Sequence, residues 1–224
     1  MLDQPNKEVT RRDIAALDAI ERELRIKRAE IEQEIAAVEH KKKRLRKLIP
    51  GEGQVITSEG KLIVELAQKY VVNKFATDIG ARIKGSNTHH LFRDHGWNGI
   101  LVEKDQAFAE EIKEEVWASR VESFWEAATP ENINRFVPEH CGVLCIDVDG
   151  NDYHLWNAVK AKPPIVVIEV GAKNVPVDVR YVAPYIEGDP KRHNGSNSLA
   201  MIELGKKKGY RLHRQIGVNL IFVR

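Results

Sequence analysis

Cysteine, charge of one sign and long apolar runs are all scarce in this chain, and each scarcity removes a class of protein. Only two of the 224 residues are cysteine, Cys141 and Cys145. Four positions apart in one apolar run, they have neither disulfide arithmetic nor metal-ligand spacing, and read as buried thiols in a reducing compartment. The net charge is +2, from 35 Lys and Arg against 33 Asp and Glu, which is no nucleic-acid footprint for the whole chain. No apolar run approaches the ~18 residues of a membrane span, and the opening MLDQPNKEV lacks the apolar core of a signal peptide. A soluble cytoplasmic protein is expected. Two nucleotide-binding patterns are missing as well. No G-x-G-x-x-G occurs, and Gly80 to Ser86, GARIKGS, lacks the lysine that reaches phosphates in G-x-x-x-x-G-K-[ST]. Trp97, Trp117, Trp125 and Trp156 are not interleaved with basic residues as base-stacking platforms are, and read as core.

What is present divides at Pro50. Residues 1–50 carry 13 Lys and Arg against 10 Asp and Glu, with the basic excess in Lys41 to Lys47, KKKRLRK. Residues 10–49 read as one helix, with Thr10 and Asp13 as a capping box and Pro50-Gly51 as the stop. Leu17, Leu24, Ile31, Val38 and Leu45 recur every seven residues. A second series in the same register alternates Ile14, Ile35 and Ile49 with Glu21, Arg28 and Lys42. With i, i+4 pairs such as Glu21–Arg25 and Glu23–Lys27 beside it, this is a coiled-coil seam. A helix of about 58 Å cannot bury that seam on a domain of ~170 residues with a radius of gyration of ~16 Å. Self-association through residues 11–49, as a dimer or a trimer, is expected. The basic run has two readings: cations complementing a helix C-terminus, or a patch for a polyanion such as nucleic acid.

From residue 51 onward strands and helices alternate. Residues 75–79, 99–102, 120–125, 142–148 and 164–170 read as strands. Residues 58–71, 86–96, 106–118, a short stretch from Thr129-Pro130, 153–161 and 198–209 read as helices. GVLCIDV and PIVVIEV are apolar almost throughout, as strands covered on both faces of a parallel sheet are. Residues 211–224 read as a hairpin turning at Gly217. The expected fold is α/β, a Rossmann-like, mostly parallel twisted sheet with an antiparallel C-terminal hairpin, preceded by the coiled-coil helix of residues 1–50.

Ligands of such sheets bind beyond the carboxyl ends of the strands. Residues 78–88, Glu103, residues 127–132, residues 147–152 and Glu169 all fall there. Gly80 and Gly85 would let a ligand approach the backbone after the first strand, and Glu103, closing the second, offers a carboxylate to ribose hydroxyls. With no phosphate clamp present, S-adenosylmethionine fits this unit best. The 27-residue connection from Gly171 to Asn197 is long enough to be functional, and it carries His193.

Several segments, in order along residues 75–224, carry a family likeness. They are Asp78-Ile79-Gly80-Ala81, Ser86-Asn87-Thr88, Gly96-Trp97-Asn98-Gly99-Ile100-Leu101-Val102-Glu103 and Thr129-Pro130-Glu131-Asn132. They continue with Ile146-Asp147-Val148-Asp149-Gly150-Asn151-Asp152-Tyr153, Val167-Ile168-Glu169, Ser198-Leu199-Ala200, and Gly209-Tyr210 with Gly217-Val218-Asn219. On these the domain resembles the class I S-adenosylmethionine-dependent methyltransferases, in particular the FkbM-like branch and related bacterial and phage proteins. The resemblance implies that Asp78, Gly80 and Gly85, with Asn87 and Thr88, line the methionine end of the cofactor. It implies that Glu103 holds the ribose, that Ala128 and its neighbours border the adenine, and that residues 147–152 face the reacting methyl. It also implies an oxygen acceptor, such as a sugar or glycan.

Methyl transfer to a hydroxyl needs orientation and a proton acceptor, and Asp149, Asp152 and His154 stand where that base is required. A different reading gives Asp147, Asp149 and Asp152 a divalent cation that lowers the acceptor's pKa. In a third, Asp149-Gly150 is a turn and Asp152 caps the next helix. A bound sulfonium requires Arg82 and Lys84 to point away from it. Two functions other than methyl transfer to a small molecule stay open: a catalytically degenerate assembly protein, and a nucleic-acid modifier delivered by Lys41 to Lys47.

Overall fold

The structure is a computed structural model and describes residues 7–47, 57–82, 86–113, 115–171, 175–176, 178–188 and 195–224. Ile83, Lys84, Gly85 and His193 lie outside the described residues. The chain divides into two units, residues 1–52 and 53–224.

In the first unit α1 spans Lys7–Lys47. It starts three residues ahead of Thr10, so the Thr10–Asp13 pair lies inside the helix and does not begin it. The side chains of Leu17, Leu24, Ile31 and Val38 are exposed along it. Charge pairs at i, i+4 join Glu21 to Arg25 at 2.7 Å, Glu23 to Lys27 at 2.8 Å and Arg28 to Glu32 at 2.9 Å. Among the described residues no helix is long and apolar enough to cross a membrane.

In the second unit the elements run α2 (Ser58–Tyr70), β1 (Phe75–Ile79), α3 (His89–His95), β2 (Asn98–Glu103), α4 (Gln106–Lys113) and β3 (Val121–Trp125). They continue with β4 (Val143–Ile146), α5 (Asp152–Ala158), β5 (Ile165–Glu169), α6 (Ser198–Lys208), β6 (Arg211–Ile216) and β7 (Asn219–Val223). The seven strands form one sheet in the order β3-β2-β1-β4-β5-β7-β6. β1 to β5 are parallel, and β7 pairs antiparallel with both β5 and β6. This is the Rossmann-like arrangement expected, with the hairpin turning at Gly217 (φ +56°). Strand order reverses between β1 and β4, which opens a crevice beyond their carboxyl ends.

The period-2 alternation of each strand sorts the core into two layers. Ile79, Leu144, Ile146 and Ile168 point to one face, against Phe136, Leu155 and Trp156. Ala76, Val143, Cys145 and Val167 point to the other, against Ile63 and Leu66 of α2 and Leu91 and Phe92 of α3. α2 is started by Thr57, whose Oγ1 accepts from Gly60 N at 3.0 Å. α6 is started by Asn197, whose side chain accepts from Ala200 N, and stopped by Gly209 at φ +88°.

Several expected helices are shorter, among them α5, which ends at Ala158 where helix was expected to residue 161. Residues 106–118 form α4 only as far as Lys113, followed by a 3-10 turn over Val116–Arg120. The stretch from Thr129 becomes a turn and a 3-10 segment, Ile133–Arg135. Here Asn132 Oδ1 accepts from Thr129 N at 2.7 Å and Thr129 Oγ1 accepts from Asn132 N at 3.3 Å. This reciprocal pair is the capping-box arrangement expected of Thr129 as a helix N-cap, but what it starts is only a turn and that short 3-10 segment.

Candidate functional site

The crevice begins with the turn after β1. Gly80 sits at φ +86°, and a Cβ there would lie 1.8 Å from the Asp147 carbonyl oxygen. The glycine is therefore demanded by the close approach of the chain leaving β4. Gly80 N donates to Val102 O at 2.8 Å, tying the turn to β2. Just before it, Asp78 is buried in the β1 row, and its Oδ2 accepts from Ser86 Oγ at 2.7 Å and from Thr88 Oγ1. Burial pushes the Asp78 carboxyl up to about 6, against the pull of those two hydroxyls. Ser86 Oγ in turn accepts from Thr88 N and His89 N, both at 3.2 Å. Ser86 supplies the cap of α3, and Thr88 points to Asp78 instead.

Behind this turn lies a cavity of about 290 Å³ lined by Asp78, Ser86, Asn87, Cys145, Asp147 and Glu169. A second lobe is bordered by Ile79, Val102, Glu103, Ala127 and Ala128. Gly80, Arg82, Asp147 and Asp149 border both lobes, so the two form one cleft. Of the residues expected to hold a nucleoside, Asp78 and Asn87 fall in the first lobe, Glu103 and Ala128 in the second, and Gly80 and Asp147 between them. Glu103 is buried, and its Oε1 accepts from Asp105 N at 2.8 Å. Burial raises its carboxyl above the ordinary value.

The inner lobe is acidic. Asp147 and Glu169 leave neighbouring strands in register and share a hydrogen bond. Burial raises both carboxyls, and for Glu169 the Asp147 charge adds to it. Near neutral pH the pair therefore retains a proton. Oxygens of Asp147, Asp149 and Glu169 come within 4.8 Å of one another, a spacing a hard divalent cation could bridge. Cys145, also lining this lobe, has its thiol pushed well up by burial and stays protonated.

Of the three residues expected to act on the acceptor, only Asp149 faces the cleft. It is half-exposed at the tip after β4, where it holds φ +60°, and its Oδ2 lies 3.9 Å from the Arg82 guanidinium. Asp152 is buried, with Oδ1 accepting from Val148 N and Oδ2 from Gly150 N, both at 2.9 Å. It braces the turn from behind, and burial pushes its carboxyl up to about 7. His154 Nε2 lies 2.7 Å from Ala183 O. Together with Asn151, which donates to Ile186 O and accepts from Ile186 N, it straps residues 183–186 onto α5.

Arg82 crosses the mouth of the cleft. Its guanidinium stands 4.8 Å over the Phe108 ring and 3.9 Å from Asp149 Oδ2, with the side chain half-exposed. It does not point away to solvent, as a bound sulfonium would require. The inner cavity stays open behind it. Sequence reasoning had placed Glu169 at a strand end without a role and Cys145 in the core. Both line the cleft, and the signal for Glu169 was available: a carboxylate closing a strand otherwise buried on both faces.

No family model and no curated protein matches this chain. Among solved structures it is similar to a mitomycin 7-O-methyltransferase, at 16% identity and a TM-score of 0.46, over 75% of this chain and 53% of that one. The chain thus spans about half the length of that enzyme. It is also similar to the N-terminal domain of EvdMO1 with SAH and D-fucose, at 10% identity and a TM-score of 0.48, over 77% and 83% of the two chains. A third is an S-adenosylmethionine-dependent methyltransferase from Clostridium acetobutylicum ATCC 824, at 9% identity and a TM-score of 0.49, over 76% and 92%.

Proposed function

We propose that the cleft binds S-adenosylmethionine and that the chain transfers a methyl group to the oxygen of a small molecule or glycan, with a sugar hydroxyl the acceptor of choice. The observation that supports this is the division of the cleft: buried Asp78 with half-buried Asp147 and Glu169 at one end, buried Glu103 at the other. An aminoacyl sulfonium brings an ammonium and a sulfur cation to the first end and ribose hydroxyls to the second. When bound, the cofactor supplies a methyl already activated for in-line displacement. Around it Asp147 and Glu169 hold the cationic end, Glu103 orients the ribose, and Ala127 and Ala128 offer an apolar border to the base. Asp149, at the half-exposed tip of the turn, takes the acceptor's proton. Asp152 and His154 act at one remove, the first by fixing the tip and the second by holding residues 183–186. Two buried free thiols suit a reducing, cytoplasmic setting, and the exposed seam of α1 suits self-association.

One observation favours a second reading, a retired enzyme that serves assembly. Arg82 lies over the mouth and brings positive charge near the place of the sulfonium. The two readings part on product formation. Incubation with S-adenosylmethionine and a panel of sugars and glycans, read by mass spectrometry, is expected to give an acceptor one methyl heavier. Asp149→Asn is expected to lower that rate at least ~100-fold, within the range for a lost general base. No product from any hydroxyl acceptor, with cofactor bound, supports the assembly reading.

A further inference from the structure

The seam of α1 specifies more than self-association. Along it Leu17, Leu24, Ile31 and Val38 occupy one core position of the heptad, and they are 65, 60, 55 and 62% exposed, with no other segment of their own unit over them. The other core position, four residues after each of these or three before, reads Ile14, Glu21, Arg28, Ile35 and Lys42. Three of five are charged.

In a parallel pair each core position meets its own copy. Glu21 would face Glu21, Arg28 would face Arg28 and Lys42 would face Lys42, three like-charge layers in one seam. The flanks would add Asp13 against Asp18 and Glu34 against Glu39, with Lys27 against Glu32 the favourable contact. In an antiparallel pair the two core positions face each other instead. With the helices fully overlapped, Glu21 meets Val38 of the second copy, Arg28 meets Ile31, Ile35 meets Leu24 and Lys42 meets Leu17. No charged core residue meets its like. Each can lay its aliphatic stem on an apolar neighbour and lift its head to solvent.

The flanks agree at the centre, where Lys27 falls beside Glu34 of the second copy and Arg25 beside Glu32, each twice by symmetry. Within residues 13–42, Asp18 beside Glu39 is the unfavourable pair. The intrahelical pairs already draw the charged core heads to that flank, Glu21 to Arg25 at 2.7 Å and Arg28 to Glu32 at 2.9 Å. In the antiparallel pair these join into a run of alternating charge across the seam. Sliding the helices by one heptad either way brings Arg25 or Glu32 against its own copy and loses that complementarity.

We propose that α1 pairs with α1 of a second copy of this chain as an antiparallel two-helix coiled coil, fully overlapped, with Arg28 of each copy against Ile31 of the other. This rests on the reading of α1 as a self-associating helix and adds its direction and number. It puts the two Lys47 residues, from which the rest of each chain leaves, about 50 Å apart at 1.5 Å per residue. A parallel pair would put them side by side.

The test uses the full chain. Sedimentation equilibrium at micromolar concentration is expected to give the mass of two chains. Leu17→Cys and Lys42→Cys chains, mixed and mildly oxidised, are expected to form a mixed disulfide dimer, while Leu17→Cys alone does not cross-link; the native cysteines are 2% exposed and do not compete. Leu24→Lys is expected to weaken association more than tenfold with the cooperative melt of residues 53–224 unchanged. Cross-linking of Leu17→Cys to itself overturns the antiparallel arrangement and leaves self-association standing. A mass of three chains overturns the two-helix form. A single-chain mass at tens of micromolar overturns both.

Discussion

Two residues shape the cleft, Gly80 and Arg82, and their roles separate under substitution. Gly80 is fixed by sterics: both its positive φ and the 1.8 Å approach of the Asp147 carbonyl exclude a Cβ. Gly80→Ala is expected to destabilise the protein by ~2 kcal/mol or more, as a side chain forced into the left-handed region and against backbone does, and thermal unfolding reads the shift directly. Arg82 is fixed by charge. Burial raises the Asp147 and Glu103 carboxyls, and the Arg82 guanidinium offsets part of that rise. Arg82→Ala is expected to tighten S-adenosylmethionine binding about threefold while leaving S-adenosylhomocysteine, which has no sulfonium, nearly unchanged. The effect stays below ~1 kcal/mol because the group is half-exposed and screened. Equal changes for both ligands would place Arg82 somewhere other than beside the sulfur.

At the scale of elements, the tip after β4 is the piece to disturb. Asp152 accepts two backbone N–H groups there. Asp152→Ala leaves Val148 N and Gly150 N unpaired and costs ~1–3 kcal/mol by that mechanism. Such a variant is expected to lower cofactor affinity through misplacement of Asp149, whereas Asp149→Asn lowers turnover with affinity kept.

The elements were also the most legible scale in the sequence. The doubly buried strands at 143–146 and 165–169, the hairpin at Gly217 and the α6 stop at Gly209 were written in local pattern, because apolar runs and left-handed glycines need no tertiary information. What local pattern could not supply was the partner of a polar side chain. Ser86 and Thr88 read as helix-start chemistry, yet Thr88 turns to Asp78 ten residues back. Thr129 and Pro130 read as a helix start, and Thr129 does cap one with Asn132, but the segment ends as a short 3-10 turn at Arg135. Asp147 and Glu169 lie 22 positions apart and meet only once β4 and β5 are set side by side. The carboxylates of the cleft were visible one by one, and their convergence followed from strand order.

For the whole molecule, pH is the probe of this buried acidity. Asp78 and Asp152 have folded-state values of about 6 and about 7 against an ordinary 3.8, and the Asp147–Glu169 pair is raised too. Raised carboxyls bind protons more tightly when folded, so their stabilisation is full below the ordinary carboxylate range and is lost as pH climbs through the folded values. The buried imidazoles of His89 and His90 are lowered by burial, His90 to about 4, and act oppositely, but that effect is complete by about pH 6.5. Stability without ligand is therefore expected to fall between about pH 6.5 and 8.5, by several degrees in melting temperature at ~2–4 °C per kcal/mol for a domain of this size. A melting temperature that rises over that interval contradicts the assignment of protonated carboxyls in the cleft.

Cation binding has the reverse preference, since it favours ionised carboxylates. The account rests on the cleft taking an aminoacyl sulfonium nucleoside, and calorimetry with S-adenosylmethionine tests this most directly. The expected result is one site per chain of micromolar affinity, tightening from pH 6 to pH 8 with proton release, and weakened about tenfold or more, ~1.4 kcal/mol, by Glu103→Ala. No heat of binding at millimolar ligand, in a protein that still melts cooperatively, would contradict it.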